Sequence, residues 1–289
     1  MGRSLVINIK LNGECGMNVW PFRFFHGLWV WGHARSALGG VRGLCISFAM
    51  NQSHADRPLG APVENWTPPR RPDGEALAAR YARLEPLSAV DHAALLYRAY
   101  VGADHVWDYL PYGPFSSASQ YHRWVRDSEA KPDPYFMAIQ NQTSGQWEGV
   151  ASFLRIDPQA GSIEVGHINF SPALQRTAAA TEALFLMMQW AFEAGYRRFE
   201  WKCNALNLPS RRAAQRLGLS YEGVFRQATV VKGRNRDTAW FAAIDAEWPA
   251  LKEAFEAWLS PSNFDAQGRQ KERLGDLTAL VRAASDPAL

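Results

Sequence analysis

Apolar positions recur along most of this chain, and changes in their period mark its elements. Arg83-Leu84-Glu85-Pro86-Leu87 predicts a short strand, and Val90 to Tyr100 predicts a helix capped near Asp91. Ser116 to Glu129 predicts a second helix with Tyr121, Trp124 and Val125 on one side, and Tyr135 to Ile139 and Glu148 to Ile156 predict strands. Asp157-Pro158-Gln159-Ala160-Gly161 is a turn by its residue types, so Ser162 to Phe170 returns as the second half of a hairpin. Thr181 to Ala194 is apolar almost all round, as in a helix buried on most sides, and Gly195 stops it. Arg198 to Cys203 alternates as a strand does, and Ser210 to Leu217 is a short helix ended by Gly218. Gly223 to Lys232 and Asp237 to Ile244 flank Gly233-Arg234-Asn235-Arg236 as a long hairpin. Trp248 to Leu259 is a helix with Pro249 in its first turn.

The order is β-α-α-β-β-β-α-β-α-β-β with a trailing helix. A hairpin strand, a buried helix and then another strand imply one parallel crossover. The expected fold class is α/β in the α+β sense: a mixed, mostly antiparallel sheet with one parallel crossover, flanked by helices.

The ends of the chain read differently. Residues 1–49 mix Trp20, Trp29, Trp31, Phe22, Phe24 and Phe25 with scattered Gly and Arg and show no useful periodicity. One reading is a basic-aromatic arm that touches membranes or RNA; the preferred one is a translated upstream region with the native start at Met50. From Met50 to about Pro72 the chain is polar and rich in proline, as an unstructured leader is. The expected division is therefore an extension without a fold over 1–73, a domain over 74–262, and a tail or helix over 263–289.

Composition narrows the function classes. The formal charge of +3 conceals a split: residues 1–49 carry five basic side chains and one acid, so the remainder sums to −1. Nucleic acid is thus a poor first guess as partner. No run of eighteen uncharged apolar residues and no secretory signal is evident, so no membrane association and a cytoplasmic location are expected. Three cysteines, Cys15, Cys45 and Cys203, make no disulfide framework, and no Cys/His spacing suggests a metal site.

Three segments together resemble the GNAT acetyltransferases, in particular the branch that includes ribosomal-protein alanine N-acetyltransferases. Ile163-Glu164-Val165-Gly166-His167 is similar to the strand beside which the acetyl group sits. Gln175-Arg176-Thr177-Ala178-Ala179-Ala180-Thr181-Glu182-Ala183 is similar to the family's pyrophosphate loop running into a helix. Asn207-Leu208-Pro209-Ser210 and Gly218 to Gly223 resemble its Asn-x-x-Ser helix and following strand, and the likeness spans roughly residues 80–260. The residues support the loop on physical grounds as well, because a helix N-terminus carries unpaired N–H groups and the positive end of a dipole. The loop departs from the family pattern where glycine is usual, with Arg176 and Ala178 in those places.

The resemblance implies acetyl-CoA as co-substrate, held by Gln175, Arg176, Thr177, Ala178, Ala179, Ala180 and Thr181 at the pyrophosphate and by Asn207 along the pantetheine arm. It implies a strand bulge whose N–H groups, near Ile168, Asn169 and Phe170, hold the thioester carbonyl. Glu164 is the first candidate for the base, directly or through water, and an exposed strand carboxylate paired with an arginine is an equal reading. His167 ranks second. In a straight strand the two point to opposite faces, which an intervening bulge would change. Many family members take the acid from a tyrosine seven residues after the helix asparagine; that position is Ala214 here, and the branch implies Ser210 instead. Helix capping is the plain alternative for Asn207 and Ser210.

The implied reaction is acetyl transfer to a primary amine, a protein or peptide N-terminus, by direct attack in a ternary complex. A small-molecule amine is the close alternative, and a non-catalytic acyl-CoA sensor is the alternative from another class. Trp107, Asp108, Tyr109, Tyr112 and Phe115 are candidates to line the acceptor pocket, and the edge of the last hairpin offers a route to a homodimer.

Overall fold

The computed structural model describes residues 58–289 together with two short strands near the N-terminus. The chain divides into two compact units, Met1–Glu64 and Asn65–Leu289. In the first, Ile9–Leu11 (β1) pairs antiparallel with Glu14–Gly16 (β2). That hairpin stands where no structure is expected; Asn12-Gly13, between the strands in sequence, is a strong hairpin signal that the absence of longer periodicity conceals. The reading of Met50 as the native start lies outside the described residues.

The second unit holds Leu77–Ala78 (β3), Ala82–Pro86 (β4), Ala93–Tyr100 (α1), Ala118–Glu129 (α2), Tyr135–Asn141 (β5), Gln146–Asp157 (β6) and Ser162–Phe170 (β7). There follow Ala178–Glu193 (α3), Arg198–Asn204 (β8), Leu208–Arg216 (α4), Ser220–Val231 (β9), Arg234–Ile244 (β10), Trp248–Leu259 (α5) and Leu274–Ala279 (α6). One sheet runs β3-β4-β5-β6-β7-β8-β10-β9, antiparallel except for the β7–β8 pair. The single parallel pair is the crossover that α3 makes, as expected.

Each face of the sheet has its own core. On one, α3 and α5 pack Phe185, Met187, Met188 and Phe255 against Ile163, Val165, Phe199 and Phe241. Full burial of side chains this size contributes about 1.5–3 kcal/mol each. On the other, α1 and α2 pack Leu96, Tyr100, Tyr121 and Val125 against Phe136, Ala138 and Val150.

Helix starts follow their caps. The Thr177 hydroxyl accepts from the Ala180 N–H at 3.1 Å, so α3 opens at Ala178, three residues before the expected Thr181. Asn207 caps α4, accepting from the Ser210 N–H at 3.2 Å. The expected cap at Asp91 is replaced: His92 holds the N-cap position of α1 without a side-chain bond, and the Asp91 carboxylate accepts from the Ser88 hydroxyl.

The compact unit is wider than the expected 74–262 at both ends. Before it, Arg70 stacks on Trp190 and its carbonyl accepts from the Tyr196 hydroxyl. After it, the C-terminal segment straps α4: Thr278 donates to the Arg216 carbonyl, Arg282 to that of Gln215, and Arg211 forms a buried ion pair with Asp286.

Candidate active site

The β7–β8 pairing runs from Ser162↔Arg198 to Val165↔Trp201 and stops. Beyond it, Gly166–Phe170 keeps β6 on one side, while β8 continues against β10 as far as Asn204. The two halves of the sheet therefore part, leaving an open seam edged by unpaired backbone.

Where the seam opens, β7 is bulged. Gly166 pairs with Ser152 and Asn169 with Val150, so His167 and Ile168 have no partner in register, and His167 takes a φ of +50°. The bulge lies at His167–Ile168, at the start of the Ile168–Phe170 stretch expected to carry it. The Ser171 N–H donates to Glu148 across the β6 edge, and alternation then turns the Phe170 N–H toward the seam. The bulge also settles the parity of the two candidate bases. Glu164 and Gly166 face away from α3, and the inserted residue brings His167 to that same face, stacked on Tyr112 at 5.5 Å and 5.2 Å from the Phe136 ring.

Glu164 is 3% exposed and accepts from Arg155 at 2.7 Å and Lys202 at 2.9 Å. Burial raises its carboxyl above the ordinary range, and the two cations oppose that without cancelling it. The alternative of an exposed strand carboxylate is thus replaced by a buried one, although an arginine does pair with it. His167 is brought down to about 4, by burial first and then by Arg155, Arg236 and Lys131. Its Nδ1 lies 3.0 Å from the Tyr112 hydroxyl, whose own ionisation burial pushes far up. The imidazole is neutral at physiological pH, a better hydrogen-bonding group than base.

Asn169 shares its face with its cross-strand partner Val150. It is buried, its carbonyl accepts from the Tyr100 hydroxyl at 2.7 Å, and neither side-chain polar atom has a partner among the described residues.

On the α3 side the loop forms an anion cradle. Arg176 has a φ of +62°, while Ala178 lies in the helix, so the left-handed position falls on the arginine alone. The N–H of Thr177 donates to Leu174, that of Ala180 to the Thr177 hydroxyl, and that of Thr181 to the Thr177 carbonyl. Those of Arg176, Ala178 and Ala179 meet no acceptor among the described residues. The Gln175 side chain turns back to the Phe170 carbonyl, and Arg216 reaches the Thr181 hydroxyl at 3.1 Å. Ser210 accepts from the Trp201 indole at 3.1 Å, and its own O–H is turned toward the Cys203 sulfur. Ala214 is wholly buried, with no room there for a tyrosine.

Sequence reasoning missed Lys202, Arg155, Arg216 and the His167–Tyr112 bond. Only the outward place of Lys202 in the alternating strand Arg198-Phe199-Glu200-Trp201-Lys202-Cys203 hinted at any of them.

Residues 82–220 match the model of the acetyltransferase (GNAT) domain. A crystal structure of a GCN5-related N-acetyltransferase from Brucella melitensis is 45% identical, covers 75% of this chain and 100% of its own, and superposes with a TM-score of 0.74. The chain belongs to the GNAT acetyltransferase family. It is accordingly an N-acetyltransferase, and the reading of a non-catalytic sensor gives way. A probable GNAT-family acetyltransferase from Chromobacterium violaceum is 41% identical over 67% of this acetyltransferase and 98% of its own chain, with a TM-score of 0.64. RimL, a ribosomal L7/L12 alpha-N-protein acetyltransferase, is 21% identical over 59% of this acetyltransferase and 94% of its own chain, with a TM-score of 0.52, and shows the fold alone. No curated protein matches significantly. Among the described residues of this acetyltransferase, no helix is long and apolar enough to cross a membrane.

Proposed function

We propose that this acetyltransferase moves the acetyl group of acetyl-CoA to a primary α-amine, that of a protein or peptide N-terminus, by direct attack in a ternary complex. The observation that carries the reading is the bulge at His167–Ile168, which interrupts pairing where the seam opens, beside a Glu164 that the regular alternation of β7 sets on the face opposite α3. The pyrophosphate lies on the free N–H groups of Arg176, Ala178 and Ala179, with the Arg176 guanidinium beside it. Pantetheine runs along the open edge of β7 past Asn207, and the thioester carbonyl meets the N–H groups of the bulge.

An α-amine needs little help, since its reference pKa is about 7.7–8.0 against about 10.4 for lysine. The amine nitrogen attacks the carbonyl carbon while Glu164 takes its proton, directly or through water. The C–S bond then breaks, and the thiolate takes a proton through the Ser210 hydroxyl, which gives its own proton as it receives one from solvent. The motifs at Glu164, Gln175–Ala183 and Asn207–Ser210 support the alanine-acetyltransferase branch. A groove of about 780 Å³, bordered by Arg155, Glu200, Lys202 and Trp240, favours a second reading, a small-molecule amine, because it is of small-ligand size.

The test is thiol release from acetyl-CoA with peptides that differ only in a free or blocked N-terminus, beside a panel of small amines. The proposal expects turnover of the free peptides alone. Turnover confined to small amines overturns the N-terminal assignment.

A further inference from the structure

On the face of the sheet away from α3, Arg236 stands without a carboxylate partner among the described residues. Trp240 pairs with Lys202 and Thr238 with Asn204, and residues directly opposite in a ladder share a face. Arg236, two residues further along β10, is on that face too, beyond the end of β8. Its guanidinium therefore stands at the mouth of the seam. Arg155 and Lys202 both contact Glu164, and Lys202 also contacts Glu200 at 2.7 Å. Arg236 has no carboxylate within ion-pair distance among the described residues, and its buried Nε has no hydrogen-bond partner there.

A partly desolvated cation without a counter-ion is costly, and one anion restores the balance. Burial pulls Arg236 below its ordinary range, and Glu164 is among the charges that act on it. Its position argues against the coenzyme phosphates as that anion, because their cradle lies at the α3 N-terminus, across the sheet. A planar guanidinium is matched best by a carboxylate, which it binds through two parallel bonds.

We infer that the amine acceptor carries a carboxylate close to its amine and that Arg236 receives it. The inference rests on the amine-acetylation reading and narrows its acceptor. The carboxylate has two sources, the main-chain carboxylate of a free amino acid or an acidic side chain next to a peptide N-terminus.

The test measures thiol release by the full chain with two matched sets of acceptors. One set compares free amino acids with their amides; the other compares peptides that have glutamate or glutamine in second place. The wild type is expected to favour the acidic member of one set by about tenfold to a hundredfold in kcat/KM, the range of a charge-assisted bidentate contact. R236A is expected to abolish that preference with the KM for acetyl-CoA unchanged, and R236K to keep part of it. R236Q, checked for folding by urea denaturation, repeats the comparison should R236A fail to fold. Equal rates within both sets, or no turnover of any member by protein that binds acetyl-CoA, overturn the inference. So does an R236A effect confined to the KM for acetyl-CoA. Protein that binds no acetyl-CoA in calorimetry refutes the acetylation reading and the inference with it, whereas turnover without acidic preference sinks the inference alone.

Discussion

Asp286→Ala is expected to destabilise the protein by about 3–5 kcal/mol, the usual cost of removing one partner of a buried ion pair. The carboxylate accepts from Nε and Nη2 of Arg211, each at 2.6 Å, and the two side chains are 0% and 8% exposed. Without it the guanidinium keeps one bond, to the Ala205 carbonyl at 2.8 Å, and stays buried with its charge uncompensated. Urea denaturation, as the product of midpoint and slope, reads the loss. Replacing both partners by apolar residues, Arg211→Met with Asp286→Leu, is expected to recover most of it, since no charge is then stranded. Arg211 follows Ser210 on a helix capped by Asn207, so Asp286→Ala also raises the KM for acetyl-CoA. A loss below about 1 kcal/mol, or a double variant as unstable as the single one, refutes the reasoning.

Glu164→Gln is expected to lower kcat by about a hundredfold to ten-thousandfold, the range for a general base, with the fold intact by circular dichroism. Because burial raises Glu164, the acid limb of the wild-type kcat/KM profile lies above the ordinary carboxylate range, and the variant loses that limb. His167, brought down to about 4 in the folded state, makes the unfolded chain bind more protons between about 4 and 6.5. The stability this confers is complete above the upper value and lost as pH falls through the lower; His167→Asn flattens that slope in urea midpoints. Arg176→Gly relieves a left-handed residue and stabilises by about 1 kcal/mol, yet raises the KM for acetyl-CoA, as melting and initial-rate measurements will show.

The fold was legible because the long elements declare their period: Ser162–Phe170 and Trp248–Leu259 form with the bounds expected of them. Short elements were not, since two residues of β3 and six of α6 carry no period to read. The residues of the candidate site belong to motifs of local sequence, so Glu164, Thr177, Asn207 and Ser210 could be named in advance. Their surroundings could not, because Arg155, Lys202 and Arg236 come from three strands that only the ladder brings to one face. The bulge was expected from the resemblance alone, and its placement at His167 could not be read from the residues, as a positive φ at a histidine leaves no mark in composition.

A sheet whose ladder ends at Val165 and Trp201 behaves as a partly opened zipper. Its two teeth-bearing edges are held in place by helices instead of by each other, and they have amides to spare. Any amide-containing chain threaded there replaces the missing stretch of ladder. Occupation should therefore stiffen both halves at once, and hydrogen exchange at residues 166–170 and 202–204 is where that closing would register.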